Sequence, residues 1–334
     1  MKNILLILTG GTIGSCESGG IIGTDSSRCR VLELYQEKYN DCRFDVKSPF
    51  HILSENLSIK HWEMLINYIL SLDLSGYDGM IITHGSDTLS YSSAMLGMCL
   101  HGLGLPIVIT AANYIPDDKR SNALVNFRAA VNLISKLTDG VYTVFRNGGD
   151  SKTSVFIPTR MNEADRISDR FTSFDKSPLS VIDNDDNIET IGAVGSEQLA
   201  GHSRFFGTNE FHFDKKVQII HPYPSINYDN ITIGKDTAAV LHITYHSATV
   251  SEDALKLLEK CKEKGIPMYL CSFKSEVKNR YETSDRILKN GALPLYDIST
   301  ESAYAKLLLA VNLCPQEMER FIKQNIYFEN LKEV

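Results

Sequence analysis

The sequence predicts two α/β domains, the first a doubly wound parallel sheet, and three observations carry that expectation. Short apolar runs ending in polar turns recur at residues 3–8, 80–83 and 106–110, stretches with apolar residues at helical spacing lie between them, and the chain has 334 residues. Unbroken apolar runs of this length fit strands buried on both faces, and their alternation with helices fits a parallel sheet with crossover connections. Single hydrophobic cores stop growing at ~250–300 residues, so a chain of this length is expected to divide.

The elements follow in order. Helical spacing is seen at residues 61–72, 90–103 and 121–137, and the βα order predicts right-handed crossovers. From 175 to 209 the pattern weakens around Asp183-Asn-Asp-Asp-Asn187 and several glycines, which reads as a linker or hairpin region with a domain boundary near residue 210. The domain expectation is 1–190 for the first α/β domain, 191–212 for a linker and 213–334 for the second α/β domain. Within the second, residues 217–221, 238–244 and 267–271 are strand-like. Residues 251–264 and 299–313 are helix-like, with Ser251 and either Ser299 or Thr300 as expected caps.

Hydrophobic content of 43% and charged content of 22% place the chain among globular proteins. The balance of 34 basic against 41 acidic residues gives −7, and no basic stretch interleaved with aromatics is present, so nucleic acid is not expected as a partner. The apolar start ends in a glycine turn rather than a cleavage site, and no apolar window reaches the ~18 residues of a membrane span. A cytoplasmic protein without membrane contact is expected. Cys16, Cys29, Cys42, Cys99, Cys261, Cys271 and Cys314 are odd in number and lack CxxC spacing, which argues against a disulfide framework or a zinc site.

Two clusters carry chemistry. Thr9-Gly10-Gly11-Thr12-Ile13-Gly14 follows the first strand, and the carboxyl ends of parallel strands are where ligands sit. The cluster fails the dinucleotide pattern, with Thr12 and Ser15 where glycines belong, and it lacks the end of a phosphate loop. Glycines beside a threonine let backbone approach a small ligand and leave the hydroxyl projecting. A plain tight turn is the alternative, and a threonine nucleophile requires a base or polar relay. His84-Gly85-Ser86-Asp87-Thr88 follows another strand and therefore belongs on the same sheet edge. Its carboxylate suits a substrate ammonium and its hydroxyl suits positioning water, whereas capping of the next helix is the structural alternative. His84 is read as bonding to backbone, without a catalytic role.

Together these clusters resemble the Thr-Gly-Gly-Thr-Ile and His-Gly-Thr-Asp-Thr signatures of the bacterial-type L-asparaginase family. Residues 110–131, and Tyr281 with Thr283 and residues 291–301, resemble further segments of its cytoplasmic type I branch. The resemblance spans nearly the whole chain. It implies the two-domain asparaginase/glutaminase-like fold, with a larger N-terminal and a smaller C-terminal α/β domain, no cofactor, and a homodimer or homotetramer whose site is completed near a neighbouring subunit. Carried over by position, Thr12 is the nucleophile on the amide carbon and Ser86 takes the place of the second catalytic threonine. Asp87 binds the substrate amino group and Ser54 its carboxylate, while Gly11, Gly85 and Glu55 complete the substrate-binding set.

Several positions depart from the family. Ser86 keeps the hydroxyl and loses the methyl that restricts a threonine rotamer. The family's catalytic lysine is matched by Arg160 in Thr159-Arg160-Met161-Asn162, with Lys152 as fallback, and Phe171 stands two residues farther along than expected. Arginine stays protonated, so Arg160 acts only electrostatically, on Ser86 or by pairing with Asp87, or else makes an ordinary ion pair. The loop at 15–30 has Ile21 or Ile22 where the family has an assisting tyrosine, with Tyr281, Tyr91 and Tyr114 as substitutes. Glu55 adds negative charge. The reading is therefore an amidohydrolase acting on asparagine, glutamine or a related small carboxamide. The alternative is a catalytically weak amino-acid-binding or regulatory protein on the same scaffold. A transamidation subunit that deamidates glutamine for tRNA charging shares the motifs but usually carries an additional N-terminal domain, and is not the expectation.

Overall fold

The apolar runs that end in turns become the middle of a sheet. The structure, a computed structural model, describes residues 1–14, 16–18, 21–23, 29–207 and 210–332, with the 16–18 and 21–23 strands described by backbone alone. Contacts divide the chain into Met1–Phe211 and His212–Val334.

In the first unit the strands are β1 (Lys2–Leu8), β2 (Cys16–Ser18), β3 (Ile21–Gly23), β4 (Cys42–Lys47), β5 (Gly79–Thr83), β6 (Ile107–Thr110), β7 (Val141–Phe145), β8 (Thr153–Phe156), β9 (Ser180–Ile182) and β10 (Ile188–Thr190). Eight of them form one sheet in the order β10-β9-β8-β7-β6-β5-β1-β4, and β2 pairs with β3 as a separate hairpin. Strands β4, β1, β5, β6 and β7 run parallel. The residues of β1, β5, β6 and β7 are almost wholly buried, as unbroken apolar runs require.

The sheet is not parallel throughout. β8, β9 and β10 run antiparallel, because β7 is joined to β8 by a short turn at 146–152 instead of a helical crossover. The weakly patterned stretch after 175 contains the β9–β10 hairpin, turning through residues 183–187, and the helix Ser196–Ala200.

The helices that position the site are α1 (Arg30–Lys38), α2 (Ile59–Leu70), α3 (Leu89–Leu100) and α4 (Ala123–Lys136), followed by the short α5 (Ser196–Ala200). α1 packs on α4 and α2 on α3, and both α3 and α4 cover β6. α3 is buried almost all round, so it carries no polar face and serves as an internal pillar below residues 84–88.

The second unit is a four-stranded parallel sheet in the order β11-β12-β13-β14, over Lys216–Ile220, Thr237–Ile243, Met268–Phe273 and Leu293–Tyr296. Helices α6 (Ala254–Glu263), α7 (Glu282–Lys289), α8 (Thr300–Leu313) and α9 (Met318–Lys323) complete it. Ser299 caps α8 by accepting from the Ser302 amide at 3.2 Å. The cap of α6 is Asp253, not Ser251, whose hydroxyl instead accepts from the Asp253 amide just ahead of the helix. Below α8, the buried Lys306 ammonium pairs with Glu329 at 2.8 Å, and Glu329 also accepts the Ile326 and Tyr327 amides at 2.8 and 2.7 Å.

No helix among the described residues is long and apolar enough to cross a membrane. Cys29, Cys42, Cys99, Cys261, Cys271 and Cys314 are free thiols, and Cys16 lies outside the described side chains.

His242, at 0% exposure in β12, generates a test of the second core. Its Nδ1 faces the Ile243 carbonyl at 2.7 Å and its Nε2 faces the Tyr228 hydroxyl at 2.8 Å, which together satisfy the neutral ring. Burial pulls its pKa from 6.5 down to about 4. The unfolded chain takes up the proton first, so stability is full above about pH 6.5 and declines as the pH falls toward 4. Buried His84 is shifted in the same direction. The midpoint of urea unfolding is expected to fall over that window, and His242→Gln to flatten the slope relative to the native chain.

Candidate active site

The site is assembled where two turns touch. Gly10 and Gly11 have φ of 104° and 78°, a region in which side chains are strained. A Cβ on Gly10 would lie 2.7 Å from the Ile52 amide nitrogen, and one on Gly11 would lie 2.5 Å from the Gly85 Cα and 2.7 Å from the His84 carbonyl carbon. Both glycines are therefore demanded by close backbone approach. The first turn is tied to residue 52 by Gly11 N–H donating to the Ile52 carbonyl at 3.2 Å and Ile52 N–H donating to the Thr9 carbonyl at 3.1 Å. Thr12, half-buried, opens a 3-10 turn over Thr12–Gly14 immediately beyond.

The second turn leaves β5 at Thr83. His84 is buried, its amide donates to the Thr110 carbonyl at 2.8 Å and its Nδ1 lies 2.8 Å from the Gly85 carbonyl. Burial pushes its pKa down and keeps the ring neutral, which agrees with a backbone-bonding role. A Cβ on Gly85 would lie 2.5 Å from the Ser54 Cβ. Ser54 is buried on the 3-10 turn Ser54–Asn56, donates to the Asp87 carboxylate at 3.0 Å, and its carbonyl accepts from the Thr88 hydroxyl at 3.1 Å. Gly11, Ser54, Gly85 and Asp87 thus form one connected group, with Thr12 and Ser86 next to it in sequence. Glu55 is exposed beside Ser54.

The N-cap of α3 is Thr88, which makes no side-chain cap bond, so the helix start does not consume Ser86 or Asp87. Both instead line a cleft of about 340 Å³ with Asn113, Glu163, Arg166 and Asp169. None of the four was assigned from sequence: Glu163, Arg166 and Asp169 sit on the segment by which Phe171 is displaced, and no motif marks any of them as lining. That segment is ordered by its own bonds. Asp165 Oδ1 accepts from the Ile167 amide at 3.1 Å and the Ser168 amide and hydroxyl at 2.8 Å each, and Arg170 forks onto Asp150 at 2.9 and 3.0 Å. Phe171 is clamped by Asn147 through amide bonds of 2.8 and 3.0 Å.

The cations assigned from sequence are differently engaged. Arg160 is buried, with 8% of its side chain exposed, and pairs with Asp175 at 2.8 Å, where Ser173 also donates to the same carboxylate. Lys152 pairs with Glu189 at 2.6 Å on the surface. Tyr114 lies under the Arg120 guanidinium at 4.1 Å, and Tyr281 is exposed in the second unit. The assignments to Ile21 and Ile22 lie outside the described side chains.

A parallel sheet with two glycine turns and a hydroxyl–carboxylate group at one edge defines an asparaginase-type scaffold. The family profile described as Asparaginase, N-terminal matches residues 3–191, and the chain belongs to the asparaginase family. Similar curated proteins include a glutamyl-tRNA(Gln) amidotransferase subunit from Methanosphaera stadtmanae, 27% identical over 98% of this chain and 80% of its own length. Its counterpart of the same name from Aeropyrum pernix is 26% identical over 92% of this chain and 74% of its own length. Among solved structures, the thermostable L-asparaginase of Thermococcus kodakarensis superposes with a TM-score of 0.81 at 21% identity, covering 98% of this chain and 99% of that one. L-asparaginase I of Vibrio cholerae gives 0.77 at 22%, with the same coverage. These structural likenesses concern the fold.

Gly11→Ala is expected to lower stability by about 2–3 kcal/mol or more, because a methyl is forced into backbone at a positive φ. Gly76→Ala, whose added Cβ meets nothing within 4 Å, is expected to stay within about 1 kcal/mol of the native chain. Urea denaturation of both variants measures the difference.

Proposed function

We propose that this chain hydrolyses the side-chain amide of a small amino acid, asparagine or glutamine, and releases ammonia. The observation that carries the reading is the contact of Gly11 with Gly85, which sets Thr12 on a turn adjoining Ser86 and Asp87 while Ser54 holds the carboxylate of Asp87. In the proposed reaction the Thr12 oxygen attacks the amide carbon, the C–N bond breaks, and the nitrogen leaves as ammonia after taking a proton. Water then opens the resulting ester. Asp87 holds the substrate ammonium, Ser54 turns its hydroxyl proton from Asp87 to the substrate carboxylate, the Gly85 N–H stabilises the developing oxyanion, and Ser86 orients the water.

Arg160, paired with Asp175 and outside the lining of the cleft, is not the proton acceptor of this scheme, since guanidinium does not deprotonate in proteins. Glu55, exposed beside Ser54, disfavours substrates with further negative charge. The amidotransferase names of the curated relatives support including glutamine, and a protein partner, among the readings to test. The family profile, described as Asparaginase, supports asparagine. Assembly as a homodimer or homotetramer belongs to the same proposal.

A second reading, an amino-acid-binding protein with little turnover, is favoured by one observation: Asp175 occupies the guanidinium that stands in the family lysine's place. The two readings separate in one assay. Ammonia release is measured over asparagine, glutamine and their derivatives, alongside thermal stabilisation by aspartate. Hydrolysis of at least one amide is expected, with Thr12→Ala slower by at least about a thousandfold and unchanged in melting temperature. Undiminished turnover in that variant eliminates Thr12 as nucleophile, and stabilisation by aspartate with no turnover of any amide supports the binding protein.

Asp87→Asn keeps the shape that accepts from Ser54 and removes the charge. It is expected to raise KM for amino-acid amides by roughly tenfold or more, and to act much less on a substrate lacking the α-ammonium. Steady-state kinetics on the paired substrates checks this.

A further inference from the structure

A second cavity of the first unit, about 310 Å³, opens where α1 ends, α4 passes, and β8 and β9 meet. Its charged lining looks balanced, with Lys38, Arg128 and Arg146 against Asp183 and Asp186. The aspartates, however, are already committed. Asp186 takes the Arg128 guanidinium at 2.7 Å, and Asp183 accepts the Asp185 and Asn187 amides at 2.9 Å each in the β9–β10 turn. Arg128 is closed as well, by Asp41 at 2.6 Å, the Tyr35 hydroxyl at 3.0 Å and the Tyr39 ring at 4.4 Å.

Arg146 is different. It is half-buried, and its guanidinium gives Nε to the Thr153 hydroxyl oxygen at 3.0 Å and Nη1 to the Asn184 side-chain oxygen at 2.8 Å, both of them neutral. No carboxylate pairs with it among the described residues. Burial pulls its pKa down, and it nevertheless stays charged. Because arginine only donates, Asn184 must turn its oxygen toward Arg146 and its NH2 elsewhere. Thr153 is fully buried, and its hydroxyl proton has no acceptor among the described residues. Around the second Nη of Arg146, the cavity therefore offers protons to a ligand, while Asp186 is ion-paired and Asp183 is turned into the amides of its own turn. Lys38, exposed at the end of α1 and in no ion pair among the described residues, adds a second positive charge.

We propose that this cavity is an anion site, taking the carboxylate or phosphate group of a small metabolite on Arg146, Thr153 and Asn184, with Lys38 drawing the charge in. A guanidinium fork matches either oxyanion, and a half-desolvated one binds it more strongly than an exposed one. The site lies outside the residues assigned to amide hydrolysis and does not depend on that assignment.

Calorimetric titration of the full chain with inorganic phosphate and with succinate, against sodium chloride at matched ionic strength, tests the proposal. Saturable binding of one anion per chain is expected, and whichever of the two binds more tightly identifies the oxyanion. Asn184→Asp places a carboxylate of the same shape on Arg146, so the site is filled from within. That variant is expected to fold and release ammonia as the native chain does, and to bind the anion at least about tenfold more weakly. Arg146→Gln should lose the same binding. Neither anion binding above the chloride control overturns the proposal, and so does a succinate or phosphate signal that survives Asn184→Asp unchanged.

Discussion

The candidate site depends on two stretches of backbone lying in contact where side chains would ordinarily hold them apart. Gly11 rests on residues 84–85, and Gly85 rests on Ser54. A methyl group at either place would push the threonine turn away from the turn carrying Ser86 and Asp87, and hydroxyl chemistry tolerates little such displacement. The parallel register of β1 with β5, Leu8 beside Thr83, delivers both turns to the same level of the sheet edge. Ser54 arrives from the segment after β4, on the other side of β1, so three consecutive sheet neighbours supply one group.

Electrostatics separates the two cavities of the first unit. The cleft beside Ser86 is lined by Asp87, Glu163, Asp165 and Asp169 against the single Arg166, so its field favours a ligand bearing a cation, as an α-ammonium does. The cavity beside Arg146 has its carboxylates tied into turns and ion pairs, which leaves Arg146 and Lys38 without ion-pair partners among the described residues. Arg160 belongs to neither lining. Buried with Asp175, it is an ion pair whose disruption would leave one charge without its partner in a dry setting.

Much of this was legible in the sequence, for identifiable reasons. The strands at β1, β5 and β6 announce themselves as apolar runs, and the clusters at 9–13 and 84–88 directly follow β1 and β5, so the sheet edge and its two turns could be read together. The hairpin after 175 was legible as a loss of pattern, since four polar residues after Asp183 cannot be buried. The antiparallel β8 was not, because nothing in a four-residue strand specifies direction. Asn113, Glu163, Arg166 and Asp169 were hidden for another reason: they reach the cleft by loop conformation, which periodicity does not encode. The Arg146 cavity joins residues from 38 to 186, and only tertiary contact shows that its aspartates are spent.

The wall of the cleft formed by residues 162–171 has a further consequence for how such enzymes diversify. Its curvature is fixed by Asp165 within the segment and by anchors at Asp150 and Asn147, and Ile167 at its tip is 95% exposed. The segment begins and ends on adjacent backbone, with Met161 paired to Ser173 in an isolated antiparallel bridge. A piece of chain that enters and leaves through one narrow neck, and is braced mainly by itself, can be exchanged as a cassette. Lengthening or recharging it would reshape what the cleft admits while the strands and glycine turns beneath stay as they are.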